Sequence, residues 1–285
     1  MKIIGFAQLR NELNKGNLKN WFRSMSFCDY IYIYDQNSTD GSLDYYKEFD
    51  NTVVIESPIN DFINELKCKN ALLQKLLEEH PDVDWIVWMD GDTILDARLT
   101  RNDASLLNEM LEMHLKNDGV DSIVLGHYNL WRSDVYYRID NLFHWLHENG
   151  VCAMWKNNGK LKFDPVSGLH REQKPDGLET CVLVGFSLIH RGFATDDQII
   201  GRIDHYNEMS DEIWDQKDRE HYISGVDIKN QTIERFLNEK DLKVERIPTV
   251  MIPDWLVMSD TINPINKKKI REIYEERNRD NHSNI

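Results

Sequence analysis

Apolar residues in the first part of the chain follow two periodicities in turn. Continuous runs at Lys2 to Ala7, Tyr30 to Tyr34, Thr52 to Glu56 and Trp85 to Met89 predict strands. Between them, Leu18, Trp21, Phe22 and Met25, then Leu43, Tyr46 and Phe49, then Phe62, Leu66, Leu73, Leu76 and Leu77 keep helical spacing and predict helices with one buried face. Strands alternating with helices in this way predict a mostly parallel sheet with right-handed crossovers. The run Trp85-Ile86-Val87-Trp88-Met89 does not alternate, so it reads as a central strand buried on both faces.

The later pattern is looser. Leu107, Met110 and Leu111 predict a helix, Ser122 to Leu125 a strand, and Val135 to Leu146 another helix. Val151 to Trp155 and Leu161 to Phe163 read as antiparallel strands joined through Asn157-Asn158-Gly159. Cys181 to Ile189 reads as a strand ending at His190, and the chain from Thr195 onward reads as mostly helical. No linker or repeat interrupts the pattern, so one compact unit is expected, with a charged surface helix over 263–285.

The central strand stops at Asp90-Gly91-Asp92, which changes the picture from architecture to chemistry. Ligands on open α/β sheets gather at the carboxyl ends of the strands. Two carboxylates with a glycine between them suit Mg²⁺ or Mn²⁺, ions that take oxygen ligands and often bind through substrate phosphates. Gln8-Leu9-Arg10-Asn11-Glu12, Asp35 and His190 fall at other strand ends, and the expected sheet brings them to the same edge. Each has a structural alternative. Arg10 and Glu12 also read as a surface ion pair, Asp35 as the cap of the following turn, and His190 as a hydrogen-bonded core histidine.

Composition narrows the partners. The net charge is −15 with 34 basic residues, against broad binding of nucleic acid backbones. Four scattered cysteines with no CxxC read as reduced core residues, and no apolar stretch is long enough to span a membrane, so a cytoplasmic protein is expected.

Three motifs in order resemble the GT-A glycosyltransferases of the broad family 2 type. They are Arg10-Asn11-Glu12 after the first strand, Asp35-Gln36-Asn37-Ser38-Thr39-Asp40-Gly41 after the second, and Asp90-Gly91-Asp92 after the fourth. Gln36 stands where the family commonly has a second Asp. The resemblance implies a single GT-A domain over 1–285, with a nucleotide-sugar-binding half (1–130) and an acceptor-side half (131–262). It implies a Rossmann-like, mostly parallel sheet with a smaller antiparallel part and a helical C-terminus.

In function, the resemblance implies metal-dependent transfer of a sugar from a nucleotide-diphosphate donor, UDP favoured, to an unidentified acceptor hydroxyl on a glycan, lipid-linked or protein partner. Gln8, Arg10, Asn11 and Glu12 would line the nucleotide cleft, and Asp35 would bond the base or ribose. Asn70 would face the nucleotide from its helix with Lys67 beside it, the alternative for Lys67 and Lys69 being a solvated helix face. Asp92 would hold Mn²⁺ or Mg²⁺, with Asp90 at the metal, its water or the sugar. His190, in Leu188-Ile189-His190-Arg191-Gly192-Phe193, would be a third ligand. Phe163 to Glu172 resembles a family stretch ending in His-Glu, here with Arg171 between His170 and Glu172. Glu172 is then the first candidate for catalytic base and Asp134 the second, and Trp131 and Trp155 could stack on a sugar. A non-catalytic sugar- or nucleotide-binding module and a sugar-phosphate nucleotidyltransferase are the rival readings, although the first strand is not followed by a glycine-rich loop.

Overall fold

A computed structural model describes residues 1–140, 147–166, 174–199, 201, 242–256 and 272. Strands β1 (Ile3–Leu9), β2 (Tyr30–Asp35), β3 (Thr52–Glu56) and β4 (Trp85–Trp88) pair in parallel along one side of the sheet. They alternate with helices α1 (Leu18–Ser24), α2 (Ser42–Tyr46) and α3 (Glu65–Glu79). Parallel neighbours share faces, so Phe6 and Trp88, paired in register, point the same way. Gly5 on the other face lies against α1, where an added Cβ would come within 2.7 Å of Met25 Cε. Trp85 to Met89 is almost wholly buried, as its unbroken apolar run predicts.

Beyond β4 come β5 (Thr93–Leu95), α4 (Ala97–Leu115), β6 (Ser122–Asn129), β7 (Tyr136–Arg138), β8 (Val151–Lys156), β9 (Cys181–His190) and β10 (Val244–Arg246). The eight-stranded sheet runs β3-β2-β1-β4-β8-β6-β9-β5, with β8 antiparallel to β4 and β6, and β5 antiparallel to β9. Strands β4 and β5 thus lie at different places in the sheet, with β8, β6 and β9 between them. In a flat sheet that offset is about 19 Å. Four residues join them, and Thr93 N–H donates to the Asp90 carbonyl (3.0 Å), closing a turn. A fully extended link would reach only about 18 Å, so the sheet curls until β9 and β5 return beside the end of β4. The Asp-Gly-Asp turn bridges that mouth.

Several expectations for the second half are corrected. Tyr136 to Arg138, expected within a helix, forms β7 and pairs antiparallel with Val244 to Arg246; strand partners distant in sequence override the local spacing. Val151 to Lys156 does not form a hairpin with 161–163. It enters the sheet between β4 and β6, while Leu161 and Phe163 are buried in the main core and Lys162 makes one isolated bridge to Asp176. Strand β6 runs on through His127, Tyr128 and Asn129. All four cysteines are free, but only Cys28 and Cys68 are buried; Cys152 is half-buried and Cys181 exposed. No helix among the described residues is long and apolar enough to cross a membrane. The expected C-terminal helix lies outside the described residues except for Glu272.

Candidate active site

The turn after β4 is held from below. Trp21 Nε1 donates to the Met89 carbonyl (3.2 Å), fixing the strand end. Gly91 rests on the first loop: an added Cβ would stand 2.7 Å from Glu12 Cγ and 2.8 Å from Leu9 Cδ2. Glu12 is buried and cannot retreat, because it accepts from Lys15 Nζ (2.7 Å) and Asn17 Nδ2 (2.8 Å). Asn17 Oδ1 in turn accepts from Gln198 Nε2 (2.9 Å). Gln198 Oε1 accepts from Thr195 N–H and Thr195 Oγ1 from Gln198 N–H, a reciprocal cap on the helical turn beginning at Asp196. Glu12 therefore braces the Asp-Gly-Asp turn and ties it to the second half of the chain.

His190 closes the other side. It pairs with Thr93 across β5 and β9, and its Nε2 lies 3.2 Å from Asp92 Oδ2. Arg191 N–H donates to the Asp92 carbonyl (2.7 Å), and Asp90 is exposed. The expected meeting of Asp92 with His190 is thus present. Among the described residues no group of three His, Cys, Asp or Glu side chains is arranged to hold a metal. The pair itself fits one: neighbouring ligands in an octahedral shell with bonds of 2.1 Å are about 3.0 Å apart. A carboxylate oxygen and an imidazole nitrogen also suit Mn²⁺.

The first two strand ends bind each other. Asp35 is fully buried; its carboxylate accepts from Ser38 N–H (2.7 Å), Ser38 Oγ (2.7 Å) and Tyr46 OH (3.1 Å). Burial raises its pKa above the ordinary value, while the bonds from Ser38 and Tyr46 pull it back. Asp35 therefore holds the turn, the role its capping alternative gave it. Asn11, in the left-handed region (φ 52°), donates its N–H to Ser38 Oγ (2.9 Å) and accepts from Thr39 N–H (2.8 Å). Arg10 Nε donates to the Gln36 carbonyl (3.1 Å). Gln8, on the same face of β1 as Phe6, differs: it is 7% exposed and both its amide atoms are buried with no hydrogen-bond partner. A buried amide left so asks for a ligand or water.

Helix α3 places its two candidate lysines differently. Lys67 is exposed, its solvated-face alternative, whereas Lys69 is 2% exposed, ion-paired with Glu65 and 4.9 Å from the centroid of the Trp88 ring. The signal was in the spacing, since Lys69 stands three after Leu66 and four before Leu73 on the apolar face. Asn70 Oδ1 accepts from Phe163 N–H (3.0 Å) and so anchors the segment leading to 167–173. Glu172 lies outside the described residues. The Asp134 carboxylate is engaged by Arg191 Nη2 at 3.2 Å. Trp131 and Trp155 are core residues: Trp155 packs on Phe6 and Phe163, and Trp131 on Phe193 with the Arg138 guanidinium over its ring.

No protein-family model and no curated protein matches the chain. Among solved structures it is similar to glucosyl-3-phosphoglycerate synthase from Mycobacterium tuberculosis in complex with phosphoglyceric acid (16% identity, 45% of this chain and 44% of that one, TM-score 0.29). It is also similar to mannosyl-3-phosphoglycerate synthase from Rubrobacter xylanophilus (18% identity, 45% and 41%, TM-score 0.29). A third is a putative glucose-1-phosphate thymidylyltransferase from Bacillus anthracis (11% identity, 82% and 83%, TM-score 0.31). The chain thus spans less than half the length of either synthase. The order and direction of its strands give the chain a mixed α/β fold, a large sheet flanked by helices with Asp-Gly-Asp leaving the end of β4.

Proposed function

We propose that the protein transfers a sugar, of the hexosyl type, from a nucleotide-diphosphate donor, UDP favoured, to an acceptor hydroxyl, using Mn²⁺ or Mg²⁺. The observation that carries this reading is the meeting of Asp92 and His190, from separate halves of the chain, at 3.2 Å across the mouth of the curled sheet. Departure of a nucleoside diphosphate puts negative charge on its phosphates. A divalent ion at Asp92 and His190 would supply Lewis-acid stabilisation of that charge. Glu12 keeps the turn that carries Asp92 in place. Gln8, with its two unpartnered amide atoms, and Lys69 over Trp88 offer polar groups on the α3 face of the sheet, where the nucleotide would lie.

An inverting reaction also needs a carboxylate to take the acceptor proton. Glu172 is the first candidate and Asp134 the second, once Asp134 is released from Arg191. A retaining reaction would need neither. A thermal-shift series with UDP-, GDP-, CDP- and dTDP-sugars, with and without Mn²⁺, tests the proposal, because a ligand bound only by the native state raises its melting temperature. One nucleotide series should stabilise the protein only with metal present, and its sugar should be slowly hydrolysed. Absence of any metal-dependent shift, with no sugar released, refutes the reading.

A further inference from the structure

Arg191 carries a buried cation that its surroundings satisfy poorly. Residue exposure is 9%, Nε is buried with no hydrogen-bond partner, and the pair with Asp134 is a single Nη2 contact of 3.2 Å. Two other ion-paired arginines of this fold, Arg98 and Arg138, are gripped more firmly. Arg98 forks Asp96 through three bonds of 2.5, 3.0 and 3.1 Å, and Arg138 holds Asp140 through two of 2.5 and 3.1 Å. Charge-assisted bonds of this kind ordinarily close to about 2.7–2.9 Å. The Asp134–Arg191 contact is therefore long and one-pointed, and the Nε–H donor of the guanidinium is unused.

Position gives the unused group a purpose. Arg191 directly follows His190, and its N–H is bonded to the Asp92 carbonyl, so the guanidinium is rooted beside the pair that would hold the metal. The chain carries a net charge of −15, so an anionic substrate needs local cations to enter. Three tetrahedral oxygens match a guanidinium fork through Nε and Nη together, which one carboxylate oxygen at 3.2 Å does not.

We propose that Arg191 is a phosphate-binding residue, kept by Asp134 until a phosphate group of the substrate takes over its guanidinium and releases the carboxylate. The phosphate is either the donor's diphosphate or a phosphate borne by the acceptor. The proposal rests on the sugar-nucleotide reading only for the origin of that phosphate, since the anion site itself stands on Arg191 and Asp134.

Calorimetric titration of inorganic pyrophosphate, orthophosphate, UDP and uridine into wild type, Arg191→Gln, Arg191→Lys and Asp134→Asn tests it, with melting temperatures recorded alongside. Arg191→Gln should weaken pyrophosphate and UDP by roughly tenfold to a hundredfold, the range of one hydrogen bond to a charged group. Arg191→Lys should lose less, and uridine should not respond. Asp134→Asn removes the competing carboxylate and should tighten both anions, the opposite sign to Arg191→Gln. If Arg191→Gln weakens orthophosphate and spares UDP, the site stands and the phosphate is the acceptor's. If pyrophosphate depends on Arg191 but UDP binds no tighter than pyrophosphate, the site stands and the sugar-nucleotide reading fails. Should the variants lower the melting temperature while no anion affinity changes, Arg191 and Asp134 are a structural ion pair and the proposal is overturned.

Discussion

Gly91→Ala is the sharpest test of how the site is supported. The new methyl carbon would stand 2.7 Å from Glu12 Cγ, 2.8 Å from Leu9 Cδ2 and 3.0 Å from Glu12 Cδ, where carbons ordinarily keep about 3.5–4.0 Å. Gly91 does not occupy the left-handed region, so alanine's backbone is not the obstacle and the cost is one of packing. Neither neighbour has room to yield: Leu9 is 1% exposed, and Glu12 is tied to Lys15 and Asn17. Overpacking of this kind costs about 1–3 kcal/mol, a fall in melting temperature of about 2–5 °C for a chain of this size. The same strain should displace Asp92 relative to His190, so metal-dependent nucleotide binding should weaken together with stability. The decisive measurement is a double-mutant cycle with Glu12→Ala. Two of the three close contacts belong to Glu12, so in that background the alanine should cost about 1 kcal/mol less. Equal losses in both backgrounds would refute the brace.

Three further outcomes are expected. Lys69→Met should destabilise by up to about 3 kcal/mol, because it removes one partner of a buried ion pair with Glu65 together with the ammonium over the Trp88 ring; Lys67→Met should stay within about 0.5 kcal/mol, and denaturant midpoints of the two variants decide between the lysines. Burial holds the Asp35 carboxyl above its ordinary 3.8, so the native state binds that proton more tightly than the unfolded chain. Its contribution to stability is full below 3.8 and is lost as pH rises through the raised native value. Wild type should therefore lose ground to Asp35→Asn as pH climbs from about 4 towards neutrality, and a urea-midpoint difference that stays flat or moves the other way counts against it. His190→Ala should weaken Mn²⁺-dependent nucleotide binding with little change in the metal-free melting temperature; retained metal affinity with a lower melting point would return His190 to the core.

The parallel half of the fold was legible because each of its elements declares itself locally. Unbroken runs such as Tyr30 to Tyr34 and Trp85 to Met89 can hide apolar surface only inside a covered sheet, and the helices between them carry one apolar stripe each. The glycine between Asp90 and Asp92 and the strand running into His190 were readable for the same reason. Lys69 was readable too, had its place in the 3.6-residue period been set above its charge. What only the tertiary structure decided depends on partners far apart in sequence. Tyr136 to Arg138 becomes a strand because Val244 to Arg246 is there to pair with it. Asp35 is the local exception: its bonds to Ser38 and Tyr46 are those of the turn-capping alternative the sequence already offered, and the fold decided between that role and an open one. Asp92 meets His190 because a four-residue link between β4 and β5 forces the five strands from β4 to β5 to curl, and no local pattern encodes that closure.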